Sequence, residues 1–529
     1  MFNVDFWKDA SGCFSWDAPF KRVCDKPREG SCRWFPGGRL HYSFNILDRN
    51  IQRGFGGKEI LIVYRRDGSV RRYTYAALLE RVKKLSFFLQ AGGIDKDSKV
   101  LILLANEDKE LSILLSLALQ RLGTMFGFLY TRLPQHLIQY YLRTTQADVL
   151  ICDPQVNPGF GSRDIRLLEK KAIIQGMDGE AWEGGASCDA ADPRFWVFTS
   201  GTTSKPKIIE TGHAGFLLSL IVFEKAVLAA AVEPLSLLVS LHCAFGPTVG
   251  LYHSVLFLGI RVVVCEEQEY LSTGKLADVI TREKIDGIAM APAFLDAMVH
   301  GSQRPLKLIF TGDKISEEQW RRCCRLFPAS MAVNVYGQAE TMGCLCSSPV
   351  PADPAHFRAV NALQAFPGVR YVLRNRDSEG RGQLWIHNSL LSLCRGYRGN
   401  RKDFLGRFNK NFSYFNTNDI AREEGGRVEI IGRNDNLIKI RSRYLEPALI
   451  EKEAKSVGGI HNAKVICRNG KIYLFAAGNA ETKAALVERI RTRVGSYAVP
   501  ARIFFFDSLP VGETGKVMEA KLCEYLNAT

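Results

Sequence analysis

Short apolar runs and amphipathic stretches alternate along the N-terminal part of the chain. Apolar runs at 59–64 and 99–104 predict buried strands, and the residues between them repeat apolar side chains at helical spacing. This helix is predicted over 74–90, because Thr74 has the side chain of a helix N-cap. A second apolar helix is predicted over 111–122. Alternating strands and helices of this kind predict an α/β fold built on a parallel sheet.

A further apolar run, 195–198, predicts a strand that opens into six hydroxyl or glycine residues, Thr199–Ser204. The backbone N–H and hydroxyl donors of such a loop can wrap a pyrophosphate, and Gly201 permits the close backbone approach. Lys205 and Lys207 add positive charge. The alternative interpretation is a Ser/Thr-rich surface loop. The pattern G-x-x-x-x-G-K-[ST] does not occur here, so P-loop kinase chemistry is not supported.

Residues 234–260 contain no Asp, Glu, Lys or Arg and are long enough to suggest a membrane-spanning helix. Pro234, Pro247 and the glycines of the run would break such a helix, so a buried strand, turn and helix are predicted instead. The first residues lack the basic start and apolar core of a secretory signal. We therefore expect a cytoplasmic protein with no membrane span.

The C-terminal part of the chain predicts a separate, compact α+β unit. A helix over 446–457 is expected to end at the Gly458–Gly459 pair, which suits a glycine C-cap. Lys and Arg outnumber Asp and Glu here, so this unit is expected to be basic. The other predicted elements are strands at 463–467, 472–476 and 501–506 and a helix at 481–494.

With 529 residues, the chain exceeds the usual size of one hydrophobic core, so two or more domains are expected. A hydrophobic content of 46% and a charged content of 24% are typical of a globular enzyme. The 14 cysteines include no C-x-x-C pair, which argues against a zinc site and favours reduced thiols. The net charge of +15 favours an anionic partner such as ATP, coenzyme A or an acidic carrier protein. No aromatic and basic module indicates nucleic acid.

The segment TSGTTSKPK, Thr199–Lys207, resembles the TSGTTGxPK phosphate loop of the adenylate-forming superfamily, which includes acyl-CoA synthetases, luciferases and peptide-synthetase adenylation domains. Residues 34–50 resemble the leader of acetyl- and propionyl-CoA synthetases. The resemblance implies a large N-terminal domain of parallel α/β subdomains with a small barrel-like subdomain, followed by a small mobile α+β C-terminal domain. The expected division is a leader over 1–50, an adenylation core over 51–433 and the mobile domain over 434–529.

The segment NVYGQAET resembles the family's YGxTE motif, and this resemblance implies the nucleotide contacts. Tyr336 would stack on adenine, Asn334 would hydrogen-bond the adenine amino group, and Glu340 would bind a Mg²⁺ that bridges the ATP phosphates. Ala339 stands where the family usually has a threonine that touches the α-phosphate. In the phosphate loop, the implied ATP-binding residues are Thr199, Ser200, Gly201, Thr203 and Lys207, and Thr202 is assigned a catalytic role.

The resemblance also implies a substrate pocket. The segment LIFTGD matches a strand and loop that reach adenine and the acyl group, so Thr311 would line the pocket and Gly312 the nucleotide site. Ala244 and Phe245 lie where the family places part of its acyl pocket. Gly337 stands where acetyl-CoA synthetases have a bulky Trp, so an acid larger than acetate is expected. The alternative is a turn glycine, with neighbouring groups filling the space.

Two later motifs imply a ribose contact and a hinge. FNTNDIA resembles the family's T-G-D motif, so Asp419 is expected to hold both ribose hydroxyls, and Asn418 replaces the usual glycine. IGRNDNLIK resembles GRxDDxIK. Arg433 would contact ribose or phosphate, and Asp435 would be the hinge about which the small domain turns.

The last motif and two isolated positions concern the reaction and its acceptor. LPVGETGK resembles LPxTxxGK, so Lys516 would neutralise the charge that develops between the carboxylate oxygen and the α-phosphate. Arg491 matches an arginine that acetyl-CoA synthetases use against a coenzyme A phosphate. Ser442 replaces a glycine beside the pantetheine tunnel, so thiolation is expected to be slowed but not abolished.

These motifs together imply an ATP- and Mg²⁺-dependent ligase that converts a small-molecule carboxylic acid to acyl-AMP and then transfers the acyl group to a thiol. Coenzyme A is the expected acceptor, and the pantetheine of an acidic acyl carrier protein is the alternative. A second class remains open, a degenerate nucleotide-binding scaffold without catalysis. Departures from the family pattern favour the scaffold, whereas the presence of the charged groups that the family uses argues against it. The departures are Ser204, Ala339, Asn418 and Ser442, and the intact groups are Glu340, Asp419, Arg433 and Lys516.

Overall fold

The computed structural model describes residues 4–25, 32–105, 107–131, 133, 135–153, 165–199, 206–212, 236–266, 274–389, 394–434, 438–440, 443–468, 471–510, 517 and 519–528. The chain divides into two compact units. The first unit comprises Met1–Tyr371 and Ile386–Phe415, and the second comprises Val372–Trp385 and Asn416–Thr529. The small barrel-like subdomain and the boundary at 433/434 stay predictions.

Helices occur in both units. In chain order they are α1 (Val4–Ser11), α2 (Tyr42–Ile46), α3 (Asp48–Asn50), α4 (Tyr75–Ala91), α5 (Lys109–Leu122), α6 (Gln135–Thr145), α7 (Lys170–Gly176), α8 (Gly246–Phe257), α9 (Lys275–Arg282), α10 (Phe294–Ala297), α11 (Glu317–Leu326), α12 (Phe357–Val360), α13 (Arg401–Leu405), α14 (Pro447–Lys455), α15 (Lys483–Arg493) and α16 (Glu519–Ala528).

The strands fall into several sheets. In chain order they are β1 (Cys24–Asp25), β2 (Arg33–Trp34), β3 (Arg39–Leu40), β4 (Glu59–Tyr64), β5 (Val70–Thr74), β6 (Lys99–Leu103), β7 (Met125–Phe128), β8 (Val149–Cys152), β9 (Arg166–Glu169), β10 (Cys188–Asp189), β11 (Pro193–Thr199), β12 (Lys207–Gly212), β13 (Ser236–Val239), β14 (Arg261–Cys265), β15 (Gly287–Met290), β16 (Lys307–Thr311), β17 (Met331–Gln338), β18 (Met342–Ser347), β19 (Val350–Pro351), β20 (Leu363–Ala365), β21 (Tyr371–Arg374), β22 (Arg381–His387), β23 (Gly396–Tyr397), β24 (Tyr414–Glu424), β25 (Arg427–Arg433), β26 (Ile438–Ile440), β27 (Arg443–Leu445), β28 (Ile460–Arg468), β29 (Lys471–Gly478) and β30 (Arg502–Phe506).

One sheet of the first unit has the strand order β23-β12-β11-β7-β6-β8-β9. Strands β11, β7, β6, β8 and β9 run parallel to one another, as the alternation of strands and helices predicts. Strands β12 and β23 extend this sheet in antiparallel fashion. The predicted phosphate loop therefore connects two adjacent antiparallel strands of one sheet.

A second sheet of the first unit includes the path β17-β16-β15-β13-β14-β4, in which every neighbouring pair is parallel. Because the strands are parallel, their carboxyl ends lie along one edge of the sheet. The turn after β13, the loop after β16 and the end of β17 meet there. Ligands of open α/β sheets bind at such an edge.

Two local sequence signals are confirmed, but the predicted glycine C-cap at Gly458–Gly459 is wrong, because α14 ends at Lys455 and its C-cap is Ser456. The hydroxyl oxygen of Thr74 accepts a hydrogen bond from the Ala77 N–H at 3.2 Å, so Thr74 is the N-cap of α4, as predicted. The uncharged run 234–260 contains β13, a turn and α8, also as predicted. Within the described part of the chain, no helix is both long and apolar enough to cross a membrane.

The N-terminal leader packs on the rest of the first unit. The Asn50 side-chain amide donates to the carbonyl oxygens of Leu256 and Phe257 at 3.3 and 3.2 Å. The guanidinium of Arg49 lies 4.2 Å from the centre of the Phe257 ring. The leader also reaches the segment before β23, because the Cys32 N–H donates to the Asn388 carbonyl at 3.3 Å.

The second unit is α+β, as predicted for the C-terminal part of the chain. Strands β24 and β25 form an antiparallel hairpin. Further along the chain, β28, β29 and β30 form a mixed sheet with α14 and α15 as its neighbouring helices. The core of this part includes Ile450, Leu474, Leu486 and Ile490, each fully or almost fully buried.

Candidate active site

The two ends of the phosphate loop lie side by side. Thr199 closes β11, Lys207 opens β12, and these two residues are direct partners in the antiparallel register. The carbonyl oxygen of Pro206 accepts a hydrogen bond from the Tyr140 hydroxyl at 3.2 Å. The loop residues Ser200, Gly201, Thr202, Thr203, Ser204 and Lys205 lie outside the described residues, so their predicted roles stay predictions.

Lys207 and Glu340 both contact one tyrosine, Tyr397. The Lys207 Nζ lies 5.1 Å from the centre of the Tyr397 ring, within the range of a cation–π interaction. The Tyr397 hydroxyl donates a hydrogen bond of 2.7 Å to Glu340 Oε1. Both Tyr397 and Glu340 are buried. The predicted phosphate-binding lysine and the predicted metal-binding carboxylate thus both contact the side chain of Tyr397.

Burial and the neighbouring carboxylate of Glu340 raise the pKa of the Tyr397 hydroxyl far above its ordinary value. The phenol therefore keeps its proton at any working pH and continues to donate to Glu340. The main chain adds a second link, since the Cys394 N–H donates to the Glu340 carbonyl oxygen at 2.8 Å. Burial and Glu340 also raise the pKa of the Cys394 thiol, which stays protonated.

The predicted adenine contacts lie at the carboxyl edge of the second sheet. Strands β16 and β17 are paired so that Thr311 lies beside Val335 and Phe310 beside Asn334. Asn334 is 5% exposed, and its side-chain amide lies within hydrogen-bond distance, 3.4 Å, of Asn361 Oδ1. This contact helps to fix the orientation of the amide. Tyr336 follows two residues later and is half-buried.

The predicted pocket residue Phe245 lies close to Gly312, which is predicted to line the nucleotide site. Gly312 has a φ of +100°, and a Cβ at this position would lie 2.7 Å from Cζ of the Phe245 ring. Glycine is therefore required both by the backbone conformation and by the approach of the ring. The Ala244 N–H donates to His242 Nδ1 at 2.9 Å, which holds the turn before α8. Burial, and to a lesser extent the charge of Lys109, lower the pKa of His242 to about 4, so its ring is neutral.

The space beside Gly337 is filled by backbone. A Cβ at this position would lie 1.5 Å from the carbonyl oxygen of Met342. The pairing of β17 with β18 shifts register between Tyr336 and Gly337, and Met342 has a φ of +52°. The described geometry therefore gives no support to an opened pocket wall at Gly337, and it agrees with the alternative of a turn glycine. The preference for an acid larger than acetate stays a prediction.

In the second unit, Asp419 and Arg433 face each other across the β24–β25 hairpin. Arg433 Nη1 lies 3.4 Å from Asp419 Oδ1, and the Asp419 N–H donates to Thr417 Oγ1 at 3.1 Å. Asp419 is 4% exposed. Asn418 has a φ of +64°, a left-handed conformation that glycine adopts freely and asparagine tolerates best among other residues. The departure from glycine at 418 is thus compatible with the fold.

Arg491 lies on α15 and forms an ion pair of 2.7 Å with Glu488, one turn earlier on the same helix. About half of the Arg491 side chain is exposed, so the pair is a weak surface interaction. Asp435, Ser442 and Lys516 lie outside the described residues, and their roles stay predictions.

The residues at Glu340 are compatible with Mg²⁺. The described residues contain no group of three or more His, Cys, Asp or Glu side chains that could form a complete metal cage. Mg²⁺ does not need such a cage, because it usually binds one or two carboxylates together with substrate phosphates and water. Glu340 supplies a hard oxygen ligand, and its carboxylate is oriented by the hydroxyl of Tyr397.

Comparison with known families assigns the chain to the adenylate-forming enzymes. Residues 48–398 match the family described as AMP-binding enzyme, and residues 3–46 match the acetyl-coenzyme A synthetase N-terminus. The chain belongs to the AMP-binding enzyme family. It is thus an AMP-forming acid–thiol ligase by family, and membership implies that it binds ATP.

Curated relatives agree with this assignment, and a solved structure has a similar fold. Acetyl-coenzyme A synthetase from Deinococcus radiodurans is 24% identical over 97% of this chain and 87% of its own length. Human acetyl-coenzyme A synthetase 2-like, mitochondrial, is 26% identical over 98% of this chain and 84% of its own length. The fold is similar to that of O-succinylbenzoate coenzyme A synthetase from Bacillus subtilis in complex with AMP, with a TM-score of 0.72, 17% identity, and coverage of 92% of this chain and 98% of that one.

Tyr397 is the residue at this site that the sequence analysis missed. It lies on the two-residue strand β23, fifty-seven positions after Glu340 in the chain. No local pattern marks so short a strand. The available signal is the surrounding segment RGYRGNRK, where an aromatic side chain stands among basic residues and glycines.

Proposed function

We propose that this protein activates a small-molecule carboxylic acid with ATP and transfers the acyl group to the thiol of coenzyme A. The observation that carries the proposal is the contact of Lys207 and Glu340 with Tyr397 at the base of the phosphate loop. A cation and a carboxylate that contact one side chain suit a phosphate chain and the divalent cation that accompanies it.

In the first half-reaction, a carboxylate oxygen of the acid attacks the α-phosphorus of ATP, the bond to the β-phosphate oxygen breaks, and pyrophosphate leaves. Glu340 would hold Mg²⁺ together with the phosphates, and the bound ion would supply charge neutralisation for the leaving group. The chain contributes positioning and electrostatic stabilisation, which are the main terms in this class of chemistry. Lys207 and the loop donors bind the pyrophosphate portion, and Lys516 neutralises the charge between the acid and the α-phosphate.

In the second half-reaction, a thiol attacks the acyl carbon of the acyl-AMP, a thioester forms and AMP leaves. We assign coenzyme A as the thiol. The acetyl-CoA-synthetase-like leader and the basic C-terminal part of the chain support an anionic acceptor of this kind. In this proposal Asp435 is the hinge between the half-reactions, and Ser442 beside the thiol passage slows the second of them.

The size of the acid is a separate part of the proposal. The sequence predicts an acid larger than acetate from Gly337, but the backbone of Met342 occupies the space that a missing side chain would have opened. A graded series of straight-chain and aromatic acids therefore belongs in every assay of this protein.

Thioester formation tests the proposal and separates its alternatives. The purified protein is incubated with ATP, Mg²⁺ and the acid series, with either coenzyme A or a phosphopantetheinylated acyl carrier protein. A coenzyme A thioester with at least one acid is the expected result. A thioester on the carrier alone would favour the carrier-loading alternative. No thioester and no acyl-AMP with any acid would favour the non-catalytic scaffold.

A further inference from the structure

We propose that Tyr397 is a positioning residue of the phosphate and metal site, and that it acts on the two charged groups through separate parts of its side chain. The ring contacts Lys207 and the hydroxyl contacts Glu340. This inference rests on the proposed function, because it assigns Lys207 to the ATP phosphates and Glu340 to Mg²⁺.

The sheet register brings these side chains together. In the antiparallel pair β12–β23, Tyr397 lies opposite Ile209. Side chains two positions apart on a strand point to the same face, so Lys207 and Ile209 share the face on which the ring of Tyr397 lies. The contact between Lys207 and Tyr397 is thus a diagonal cross-strand pair, a geometry that holds a long side chain over an aromatic ring.

The hydroxyl orients the carboxylate. Glu340 lies in the turn between β17 and β18, where a glutamate side chain would otherwise sample several rotamers. The hydrogen bond of 2.7 Å from the Tyr397 hydroxyl fixes Oε1. A partner that orients a metal-binding side chain in this way typically changes metal affinity by about 10- to 100-fold when it is removed.

The position of Tyr397 is itself fixed from both sides of β23. The Arg395 N–H donates to the Glu210 carbonyl oxygen on β12 at 2.8 Å. The Arg395 guanidinium donates to the Cys32 carbonyl oxygen of the leader at 2.7 Å. The short strand is therefore held between β12 and the leader, and this explains how a two-residue strand can hold a side chain accurately.

The test is the Mg²⁺ dependence of ATP binding, measured by isothermal titration calorimetry on the full chain. ATP is titrated first in EDTA and then at graded Mg²⁺ concentrations. For Tyr397→Phe, which keeps the ring, we expect the half-saturating Mg²⁺ concentration to rise about tenfold, with the affinity for metal-free ATP unchanged within about twofold. Tyr397→Leu loses both the aromatic ring and the hydroxyl. For this variant we expect the same rise in the half-saturating Mg²⁺ concentration, and we also expect metal-free ATP to bind about three- to fivefold more weakly.

Tyr64 provides a matched control. Its hydroxyl donates to the buried carboxylate of Glu283 at 2.5 Å, and Tyr64 and Tyr397 are each 4% exposed. Tyr64→Phe removes the same kind of hydrogen bond elsewhere in the first unit. We expect it to lower the thermal midpoint to a similar extent while leaving the Mg²⁺ dependence of ATP binding unchanged.

The outcomes separate this inference from the proposed function. An unchanged Mg²⁺ dependence in Tyr397→Phe, or an equal change in Tyr64→Phe, would overturn the positioning role and leave the proposed function standing. A wild-type protein that binds no ATP at any Mg²⁺ concentration would overturn both.

Discussion

The carbonyl oxygen of Met342 occupies the place where residue 337 would carry a side chain: a Cβ there would lie 1.5 Å from it. The left-handed backbone of Met342 and the register shift after Tyr336 bring the two strands this close. The glycine at 337 is thus explained by the approach of the neighbouring strand. A larger residue at this position must move main-chain atoms before it can enter any pocket.

We therefore expect Gly337→Ala to lower the free energy of unfolding by about 3 kcal/mol, because overpacking against backbone cannot be relieved by a rotamer change. Gly337→Trp should destabilise the protein at least as much. Urea denaturation measures the loss. Gly57→Ala is the control, since a Cβ at Gly57 meets nothing within 4 Å. A stable Gly337→Trp variant with a preference for acetate would show that this position lines the acyl pocket after all.

Asn418 gives a second prediction, because its φ of +64° favours glycine and asparagine over other residues. Asn418→Ala should cost about 1 kcal/mol of unfolding free energy, whereas Asn418→Gly should stay within about 0.5 kcal/mol of the wild type. Adenylation by Asn418→Gly should equal that of the wild type. A large gain in rate would mean that the asparagine side chain impairs the reaction rather than merely fitting the backbone.

The sequence predicted several elements of the fold correctly. Periodicity and capping located β4, α4 and the strand, turn and helix of 234–260, because each signal involves neighbours in the chain. The apolar run 195–198 predicted the strand that leads into the phosphate loop, and it lies within β11, whereas the pairing of Thr199 with Lys207 was not predicted. Motif order was sufficient to assign the family.

The contacts that the sequence did not predict depend on strand pairing. Whether Gly337 opens a pocket is decided by a register shift against Met342, and no residue pattern marks that shift. Tyr397 meets Glu340 only because β23 joins the edge of β12, far from Glu340 in the chain. Such contacts follow from how strands are arranged and cannot be obtained from local spacing.

His253 gives a prediction about pH. Its ring is fully buried, with Nε2 3.0 Å from the Ser116 hydroxyl, and burial lowers its pKa to about 3. The folded ring stays neutral, whereas the unfolded chain takes up a proton below its ordinary pKa of 6.5. The stability linked to this group is therefore complete above pH 6.5 and is lost as the pH falls towards 3. Between pH 7 and pH 5 the loss should be about 2 kcal/mol.

Urea denaturation at pH 7, 6 and 5 measures this dependence. His253→Gln should remove about 2 kcal/mol of the difference between pH 7 and pH 5, because glutamine does not take up the proton. His300→Gln is the control, since the His300 side chain is exposed and its replacement should leave the dependence unchanged. An equally steep loss in His253→Gln would assign the acid sensitivity to other groups.

The most direct test of the proposed reaction is carboxylate-dependent exchange of labelled pyrophosphate into ATP, with the wild type and Lys516→Ala assayed over the same acid series. We predict exchange by the wild type with at least one acid. We predict a loss of about 100-fold in Lys516→Ala, with thioester formation from supplied acyl-AMP retained, because the lysine charge is needed only when carboxylate and phosphate meet. Exchange by neither protein with any acid, while ATP still binds, would contradict the assignment of this chain as an active acid–thiol ligase.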